Sequence, residues 1–307
     1  MNNKKLEMTQ STFEMSKLVF GTWRLADKHS KNANDILLRI KKCLQLGITT
    51  FDLADIYGGY TYEELFGKAL ALEPSLRSQM QIISKCNIQY PCGEREKELS
   101  IHYYDTSKSY ILKSVDRSLQ KIGIDYLDVL LLHRPDPLMD ADEVAEAFNE
   151  LKSSGKVRHF GVSNFTPSQF ELIQSRLDFP LVTNQIEFSV LHTNPIYDGT
   201  FDQLQRLRVA PMIWSPLAGG KLFGEPSTPQ ETRVIAALNK VAKELGSSVT
   251  IDQVAYAWIL QHPTRLSVIV GTNDLARLEN VHHSLTLKLT KPQWFYILEA
   301  SNGAEVP

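Results

Sequence analysis

The chain has 307 residues, of which 22% are charged, and its formal net charge of -2 at pH 7 gives no basis for attraction to nucleic acid or to an anionic membrane. It has no apolar run of about 18 residues, and its first residues lack the apolar core of a signal peptide. The three cysteines are an odd and sparse set, and the two that are near in sequence, Cys86 and Cys92, are too few for a structural zinc site, so we expect reduced thiols, no metal and a cytoplasmic location.

Eight apolar, β-rich runs alternate with helix-like stretches along the chain, and we predict a strand in each run. The runs are residues 18–22, 49–53, 81–84, 127–132, 159–162, 182–186, 212–214 and 267–270. Strands that alternate with helices indicate a parallel sheet, and eight strands close such a sheet into a barrel. No linker divides the chain. The sequence therefore predicts an α/β fold, a single (β/α)8 TIM-barrel domain spanning residues 1–307.

Between the predicted strands, apolar residues recur with a helical period of about 3.6 residues. Asn34 is predicted to cap the first helix, and Gly47 to end it in a left-handed conformation. Gly123 and Gly155 are predicted to end two later helices in the same way. Thr166, followed by a proline, is predicted to cap the helix after the fifth strand.

Several segments are predicted to decorate the barrel. A hairpin within residues 11–20 is expected to plug its floor. Helical patterns at residues 231–246 and 251–261 both precede the eighth strand, so one of them is an insertion, and another at 292–300 follows it. The longest irregular segment, residues 86–106, is predicted to be a functional loop, because long loops within compact domains often are.

Four ionisable side chains fall at the ends of three of the predicted strands, and they are the most informative feature of the chain. Asp52, Lys85 and His133 end their strands, and Tyr57 follows Asp52 by five residues. A buried strand does not normally end in a charge, because an unpaired charge that leaves water is heavily penalised. In an α/β barrel, catalytic groups gather at the C-terminal ends of the strands. We therefore predict that the four converge.

These residue types suit proton transfer to a carbonyl oxygen. A free phenol has a pKa of about 10, and an adjacent ammonium lowers that value. Lys85, oriented by Asp52, is predicted to lower the pKa of Tyr57 in this way, and His133 to place a second hydrogen bond on the substrate oxygen. The alternative is structural: Asp52 and Lys85 form a buried ion pair and His133 is a core histidine. Because all four residues fall at or just after the ends of predicted strands, the catalytic interpretation is favoured over the structural one.

At these residues the chain resembles the aldo-keto reductases, whose Asp–Tyr–Lys–His tetrad matches Asp52, Tyr57, Lys85 and His133. Seven motifs, three of which contain the tetrad, occur in the expected order and carry the resemblance across nearly the whole chain. They are FDLADIYG (51–58), SK (84–85), LH (132–133), GKVRHFGVSNF (155–165), NQ (184–185), WSPL (214–217) and RLEN (277–280). The resemblance implies a nicotinamide-dependent oxidoreductase that reduces aldehydes or ketones to alcohols.

The same resemblance implies cofactor contacts. Ser163, Asn164 and Gln185 would hold the nicotinamide carboxamide, and Trp214 would stack on the ring. The remaining implied contacts lie after the first and seventh strands: Gly21, Thr22, Trp23, Ser215, Leu217, Gly219 and Lys221. Backbone N–H groups of a glycine turn suit phosphate oxygens. The alternatives are a helix cap for the Ser-Asn pair and a core position for the tryptophan.

The adenosine end departs from the family pattern. Many relatives have a Lys-Ser pair beside the 2′-phosphate of the cofactor, where this chain has Gly271 and Thr272. Arg277 matches the family's phosphate-binding arginine, and Asn280 replaces an acidic residue. NADPH is therefore the expected cofactor, with NADH also possible. The alternative for Arg277 is a solvated helix residue.

Two competing functions remain at this stage. Some relatives with the tetrad are redox-sensing, nicotinamide-binding subunits of ion channels, a role disfavoured here by the absence of a long N-terminal extension. A Schiff-base aldolase that used Lys85 would need that amine free of a carboxylate, whereas Asp52 is its predicted partner. The expected partner is a small carbonyl substrate between Trp23, Tyr60 and aromatic loops, and a monomer is favoured.

Overall fold

The computed structural model describes residues 13–26 and 32–306, and within them eight parallel strands close into a barrel. The barrel strands and the two strands of a separate small sheet, β4 and β5, are numbered together in chain order. They are β1 (Leu18–Gly21), β2 (Thr50–Asp52), β3 (Gln81–Cys86), β4 (Ile88–Gln89), β5 (Tyr103–Tyr104), β6 (Leu127–Leu132), β7 (Val157–Ser163), β8 (Leu181–Glu187), β9 (Met212–Trp214) and β10 (Ser267–Val270). The barrel order is β1-β10-β9-β8-β7-β6-β3-β2, closed by the pairing of β1 with β2. The predicted (β/α)8 barrel is confirmed.

Helices surround the barrel and cover its outer face. They are α1 (Ala33–Gln45), α2 (Tyr57–Tyr60), α3 (Tyr62–Ala71), α4 (Lys108–Ile122), α5 (Ala141–Ser153), α6 (Pro167–Gln174), α7 (Thr200–Leu207), α8 (Pro229–Leu245), α9 (Ile251–Leu260), α10 (Leu275–His283) and α11 (Lys291–Asn302). The main apolar core lies between helices and strands. No helix in the described ranges is long and apolar enough to cross a membrane.

The helix ends follow the predicted signals with one exception. Gly123 ends α4 at a φ of 73°, a left-handed conformation that glycine adopts without strain. Thr166 and Gln169 form a reciprocal capping box at the start of α6. The predicted cap Asn34 is wrong: Asn32 accepts the hydrogen bond from the backbone N–H of Asp35 instead. Asn34 lies in the first turn of the helix.

The floor of the barrel is plugged, although not by a hairpin. Residues 11 and 12 of the predicted hairpin lie outside the described residues, and residues 13–17 form no strand. Phe13 and Met15 from this segment pack against inward-facing apolar side chains of the barrel, among them Val19, Val129 and Met212. The apolar character of the segment was therefore informative, and its predicted strand pairing was wrong.

The predicted additions to the barrel are present. The patterns at 231–246 and 251–261 form α8 and α9, and that at 292–300 forms α11. Trp258 of α9 and Trp294 of α11 stack at 4.9 Å, and each indole N–H donates to the backbone carbonyl of the other residue. Residues 86–106 are less irregular than expected, because β4 and β5 pair within them as an antiparallel ribbon.

Candidate active site

The four side chains of the predicted tetrad meet at the C-terminal mouth of the barrel. Asp52 is the last residue of β2, Lys85 is the next-to-last residue of β3, and His133 directly follows β6. Tyr57 begins α2, the single helical turn after β2. The Nζ atom of Lys85 lies 2.8 Å from Oδ1 of Asp52 and 3.1 Å from Oη of Tyr57. The parallel pairing of the strands thus brings residues that are distant in sequence into contact at one end of the barrel.

Lys85 is the centre of the group. Its side chain is 0% exposed, and its ammonium also donates to the backbone carbonyl of Leu53 at 2.8 Å. Burial alone would lower the pKa of Lys85, but the charge of Asp52 and the contact with Tyr57 raise it above its ordinary value. The residue is therefore a cation with three partners for its three donors. The predicted ion pair exists, and the same ammonium reaches the phenol.

Tyr57 differs from expectation in its acidity. Burial raises the pKa of its phenol, and although Lys85 lowers that pKa, the net direction is above the ordinary value. The prediction of a lowered value considered the ammonium and left out the loss of water. Because Lys85 donates to the phenol oxygen, the proton of Tyr57 remains available for another acceptor. Tyr57 is thus a neutral acid beside a fixed cation.

His133 faces Tyr57 edge-on, with the ring centroids 5.9 Å apart. Burial, and then the charges of Lys85 and Arg134, hold the pKa of His133 well below its ordinary value. The imidazole is therefore neutral and can donate one hydrogen bond while it accepts another. Its Nδ1 atom is buried without a hydrogen-bond partner among the described residues. A nitrogen left in this state is available to a bound molecule.

A chain of hydrogen bonds joins the residues predicted to hold the nicotinamide. The indole N–H of Trp214 donates to Oδ1 of Asn164 at 3.0 Å, and the amide of Asn164 donates to Oγ of Ser163 at 2.9 Å. Ser163 in turn donates to the backbone carbonyl of Gln185 at 3.0 Å. Gln185 then donates its side-chain amide to Oδ1 of Asp52 at 2.8 Å. The structure therefore connects this wall directly to the tetrad.

The segment after β9 forms a tight turn beside a cavity of about 340 Å³. Four residues of the turn have left-handed backbones: Ser215, Ala218, Gly219 and Gly220. Such conformations direct successive backbone N–H groups to one side, which makes a concavity that suits anions. Ser215, Gly219 and Lys221 line the cavity, and Leu217 lies within the turn, directly before Ala218. The exposed ammonium of Lys221 lies 4.0 Å from Glu231.

The predicted adenosine contacts separate into two groups. Gly271 and Arg277 are exposed on either side of the start of α10, and Thr272 accepts a hydrogen bond from the backbone N–H of Asp274. Asn280 has a different environment. Its amide donates to Thr250 and Asp252 and accepts from Gln253, so it ties α10 to the start of α9.

The end of β1 packs against the tetrad. Thr22 donates its hydroxyl to the backbone carbonyl of Asp52 at 3.0 Å. A Cβ atom at Gly21 would lie 2.5 Å from Cγ2 of Ile269, so only glycine fits there without displacement. Trp23, with 63% of its surface exposed, follows at the mouth of the barrel. The three residues therefore reach the site, the first two through backbone packing.

Comparison with known proteins identifies the family. The model of the aldo/keto reductase family matches residues 17–302, nearly the whole chain. The chain belongs to this family. It is 49% identical over 294 residues to the oxidoreductase YdhF of Escherichia coli strain K12, a match that covers 96% of each chain. This aldo/keto reductase is accordingly an oxidoreductase, as the resemblance implied.

Two further comparisons extend this result. The 6-dehydroglucose reductase of Agrobacterium fabrum is 42% identical over 293 residues, with 95% of this chain and 96% of the relative covered. A thermostable aldo-keto reductase solved with the inhibitor epalrestat superimposes with a TM-score of 0.78 at 26% identity, covering 96% of this chain and 98% of the other. Both the sequence and the barrel are therefore those of the family over their full extent.

Aldo/keto reductases use nicotinamide cofactors, and the site has features that fit one. Nδ1 of His133 has no hydrogen-bond partner among the described residues, and the indole N–H of Trp214 is fixed by Asn164, which holds the flat ring in place. The left-handed turn at 215–220 offers backbone N–H groups beside a cavity. No group of three or more potential metal ligands occurs in the described part of this reductase.

Sequence reasoning missed Asn87 and Arg134, which also belong to the site. Asn87 is fully buried and has a φ of 96°, a strained value for a residue other than glycine. Its Oδ1 accepts from the backbone N–H groups of His133 and Arg134 at 3.1 Å each. A signal was present, because these residues lie two positions after Lys85 and one after His133, on the same loops.

Two carboxyl groups lie behind β3, in the layer between the barrel and its helices. Glu63 of α3 accepts hydrogen bonds from Ser84 and Ser118. Burial, with a smaller contribution from the charge of Asp55, raises its pKa to about 7. Burial likewise raises the pKa of Asp55 to about 6, although Ser114 donates to it. Both are structural acids that titrate near neutrality.

Proposed function

We propose that this aldo/keto reductase reduces aldehydes or ketones to alcohols with a nicotinamide dinucleotide, and that Tyr57 is the proton donor. The observation that carries the proposal is the buried Lys85 ammonium, which contacts the Asp52 carboxylate at 2.8 Å and the Tyr57 phenol at 3.1 Å. A cation in this position stabilises the phenolate that remains after proton transfer. General-acid catalysis of this kind suits a carbonyl oxygen that becomes an alkoxide.

The residues of the tetrad have distinct roles in this proposal. The reduced nicotinamide, when bound, supplies the hydride for the carbonyl carbon. Tyr57 donates its proton to the carbonyl oxygen, and the N–H of neutral His133 donates a second hydrogen bond as negative charge develops there. Lys85 stays protonated because Asp52 offsets the cost of burying its charge. Asp52 itself is held by Gln185.

Cofactor binding is assigned to the wall and turn described above. Ser163, Asn164 and Gln185 would hold the carboxamide, and Trp214 would lie against the ring. The turn from Ser215 through Leu217 and Gly219 to Lys221 would hold the pyrophosphate, with Gly21, Thr22 and Trp23 forming the opposite side. The hydrogen-bond chain that links four of these residues to Asp52 supports this assignment.

NADPH is the proposed cofactor, with Arg277 as the residue that meets its 2′-phosphate. Arg277 is exposed at the start of α10, beside Gly271 and Thr272, and a guanidinium can meet a phosphate with two parallel hydrogen bonds. Asn280 is withdrawn from the proposed contacts, because both ends of its amide are used within the protein.

The Schiff-base alternative is disfavoured by the environment of Lys85. An amine must be neutral to attack a carbonyl, and depressed pKa values activate lysines for that chemistry. Here Asp52 and Tyr57 outweigh burial and raise the pKa of Lys85. All three of its donors are also occupied. Borohydride and an aldehyde substrate should therefore leave Lys85 unmodified.

The substrate is proposed to be a small aldehyde or ketone that enters past an aromatic rim. Trp23 and Tyr90 are exposed at the mouth, and His102 lies edge-on between Tyr90 and Tyr104 at 5.3 Å from each ring. A relative at 42% identity is named for reduction of 6-dehydroglucose, a sugar aldehyde, so oxidised sugars belong in the substrate panel. The free cysteines suit a reducing compartment, and the proposed location is the cytoplasm.

The test is oxidation of NADPH and of NADH by the purified protein over a panel of aldehydes, ketones and oxidised sugars. Tyr57→Phe should lower turnover by roughly 10²–10⁴-fold while cofactor affinity stays close to that of the wild type. Tyr126→Phe is the matched control, because Tyr126 lies at the opposite end of β6 beneath Arg158. Near-normal turnover in Tyr57→Phe would exclude Tyr57 as the acid.

A further inference from the structure

Arg134 lies beside the tetrad, and its backbone is fixed there by its neighbours. Asn87 accepts from the backbone N–H of Arg134 at 3.1 Å and donates its side-chain amide to the backbone carbonyl of Arg134 at 2.7 Å. Asn164 donates to the backbone carbonyl of His133, the preceding residue. The peptide of Arg134 is thus bracketed from two sides. Its position does not depend on contacts of its own side chain.

The guanidinium of Arg134 faces the site. Its Cζ atom lies 5.8 Å from the ring centroid of Trp214. After burial and Lys85, Arg134 is the third cause that lowers the pKa of His133, and its charge also acts on Tyr57. The cation therefore borders the same space as the proton donor, its histidine neighbour and the indole.

No carboxylate balances this charge. Within residues 13–26 and 32–306, the Arg134 guanidinium has no ion pair and no side-chain hydrogen bond, although the residue is half-buried. Some other arginines of the chain are paired, as Arg77 is with Asp128 at 2.8 Å. The charge of Asp52 is already matched by Lys85. Among the described residues, the Arg134 guanidinium is therefore a positive charge beside the tetrad that no ion pair matches.

A cation that is partly removed from water gains most from an oxyanion that it can meet with two parallel hydrogen bonds. The guanidinium lies beside Tyr57 and His133, where the carbonyl group of the substrate is proposed to bind. The anion that it meets would therefore be part of the substrate itself. We propose that Arg134 selects carbonyl substrates that carry a carboxylate, which it binds while the carbonyl oxygen meets Tyr57 and His133. The inference rests on the proposed reductase function and names the substrate class for the same site.

The experiment compares two aldehydes that differ only in charge, 4-carboxybenzaldehyde and its neutral methyl ester, with the 3-substituted isomers as a second pair. The wild type should prefer the acid of at least one pair, mainly through KM. Arg134→Gln should reduce the acid-to-ester ratio of kcat/KM by roughly 10- to 100-fold, the range expected for a lost charge-assisted pair. Arg134→Lys, which keeps the charge without the planar fork, should give an intermediate ratio.

Arg265→Gln is the matched control, because it removes one exposed arginine just before β10, at the opposite end of the barrel. Its acid-to-ester ratio should equal that of the wild type. A second readout needs no turnover: calorimetric binding of 4-(hydroxymethyl)benzoate against its methyl ester, in the presence of oxidised cofactor. The acid should bind more tightly, and Arg134→Gln should abolish the difference.

The outcomes separate the two proposals. If the wild type reduces acid and ester equally well, or if Arg134→Gln weakens both to the same extent, substrate selection by Arg134 is refuted while carbonyl reduction stands. If no aldehyde is reduced, the reductase proposal fails, and the calorimetric comparison still decides the inference. Equal binding of the two alcohols by the wild type would overturn it.

Discussion

Replacement of Lys85 by methionine tests the centre of the site most directly. The change removes a cation with partners at 2.8, 2.8 and 3.1 Å, namely Asp52, the carbonyl of Leu53 and Tyr57. Asp52 would keep only the amide of Gln185 as a donor while it remains 2% exposed. Removal of one member of a buried ion pair typically costs about 3–5 kcal/mol. We expect a loss of that size in the free energy of unfolding.

Activity should fall for a different reason. Without the ammonium, burial is opposed only by the smaller effect of Arg134, so the pKa of the Tyr57 phenol rises further and the phenolate loses its main stabilising charge. Urea unfolding and cofactor oxidation would measure the two effects separately. The control is Lys68→Met, which breaks an exposed pair with Glu64 and should leave the free energy of unfolding almost unchanged.

A double variant decides whether Lys85 is a scaffold residue alone. Asp52→Asn combined with Lys85→Met removes both buried charges, and the stability of the double variant should recover part of the loss. Turnover should not recover, because the ammonium that stabilises the phenolate of Tyr57 is still absent. Recovery of both stability and turnover would refute the catalytic role of Lys85 and leave it only a structural one.

Three further predictions concern the cofactor, the thiols and pH. Arg277→Ala should weaken NADPH binding roughly tenfold or more relative to NADH, measured by titration of each dinucleotide, and equal losses would argue against a phosphate contact. Replacement of Cys86 and Cys92 by serine should preserve turnover within tenfold, since burial raises the pKa of both thiols and Cys86 meets His133 only through its backbone carbonyl. Glu63 holds its proton up to a pKa of about 7 instead of 4.5, so the folded state loses roughly 3 kcal/mol of stability as pH rises between these values. Urea unfolding of Glu63→Gln from pH 5 to 8 should show a flatter profile, whereas Glu64→Gln should follow the wild type.

The barrel and tetrad were predictable because each depends on a local signal. An apolar run that ends in a charge marks the mouth of a parallel barrel, and Asp52, Lys85 and His133 each end such a run. The cap of α1 was harder, since Asn32 and Asn34 are equally good capping residues and only backbone conformation distinguishes them. Residue type indicated a cap near this position, and the path of the chain determined which residue formed it.

Properties that depend on the three-dimensional surroundings of a residue were harder to predict from the sequence. The pKa of Tyr57 is raised by burial and lowered by the charge of Lys85, and the sequence indicates only the effect of Lys85. The environment of Asn280 depends on the packing of α10 against α9, which is not encoded in the short motif around it. Arg134 was overlooked because an arginine beyond a strand is usually solvated, and its lack of an ion pair among the described residues is visible only in three dimensions.

The hydrogen bond from Gln185 to Asp52 determines which end of the Gln185 amide is left to face the proposed cofactor site. A side-chain amide has a donor end and an acceptor end, and Asp52 takes an N–H from the donor end. What Gln185 presents to a bound molecule is then its carbonyl oxygen, an acceptor that requires an N–H opposite. A carboxamide can meet that requirement, and the ionised carboxylate of a nicotinic acid analogue would meet it with repulsion. In the proposed cofactor site, Asp52 would thereby also restrict the chemical form of the cofactor that the barrel admits.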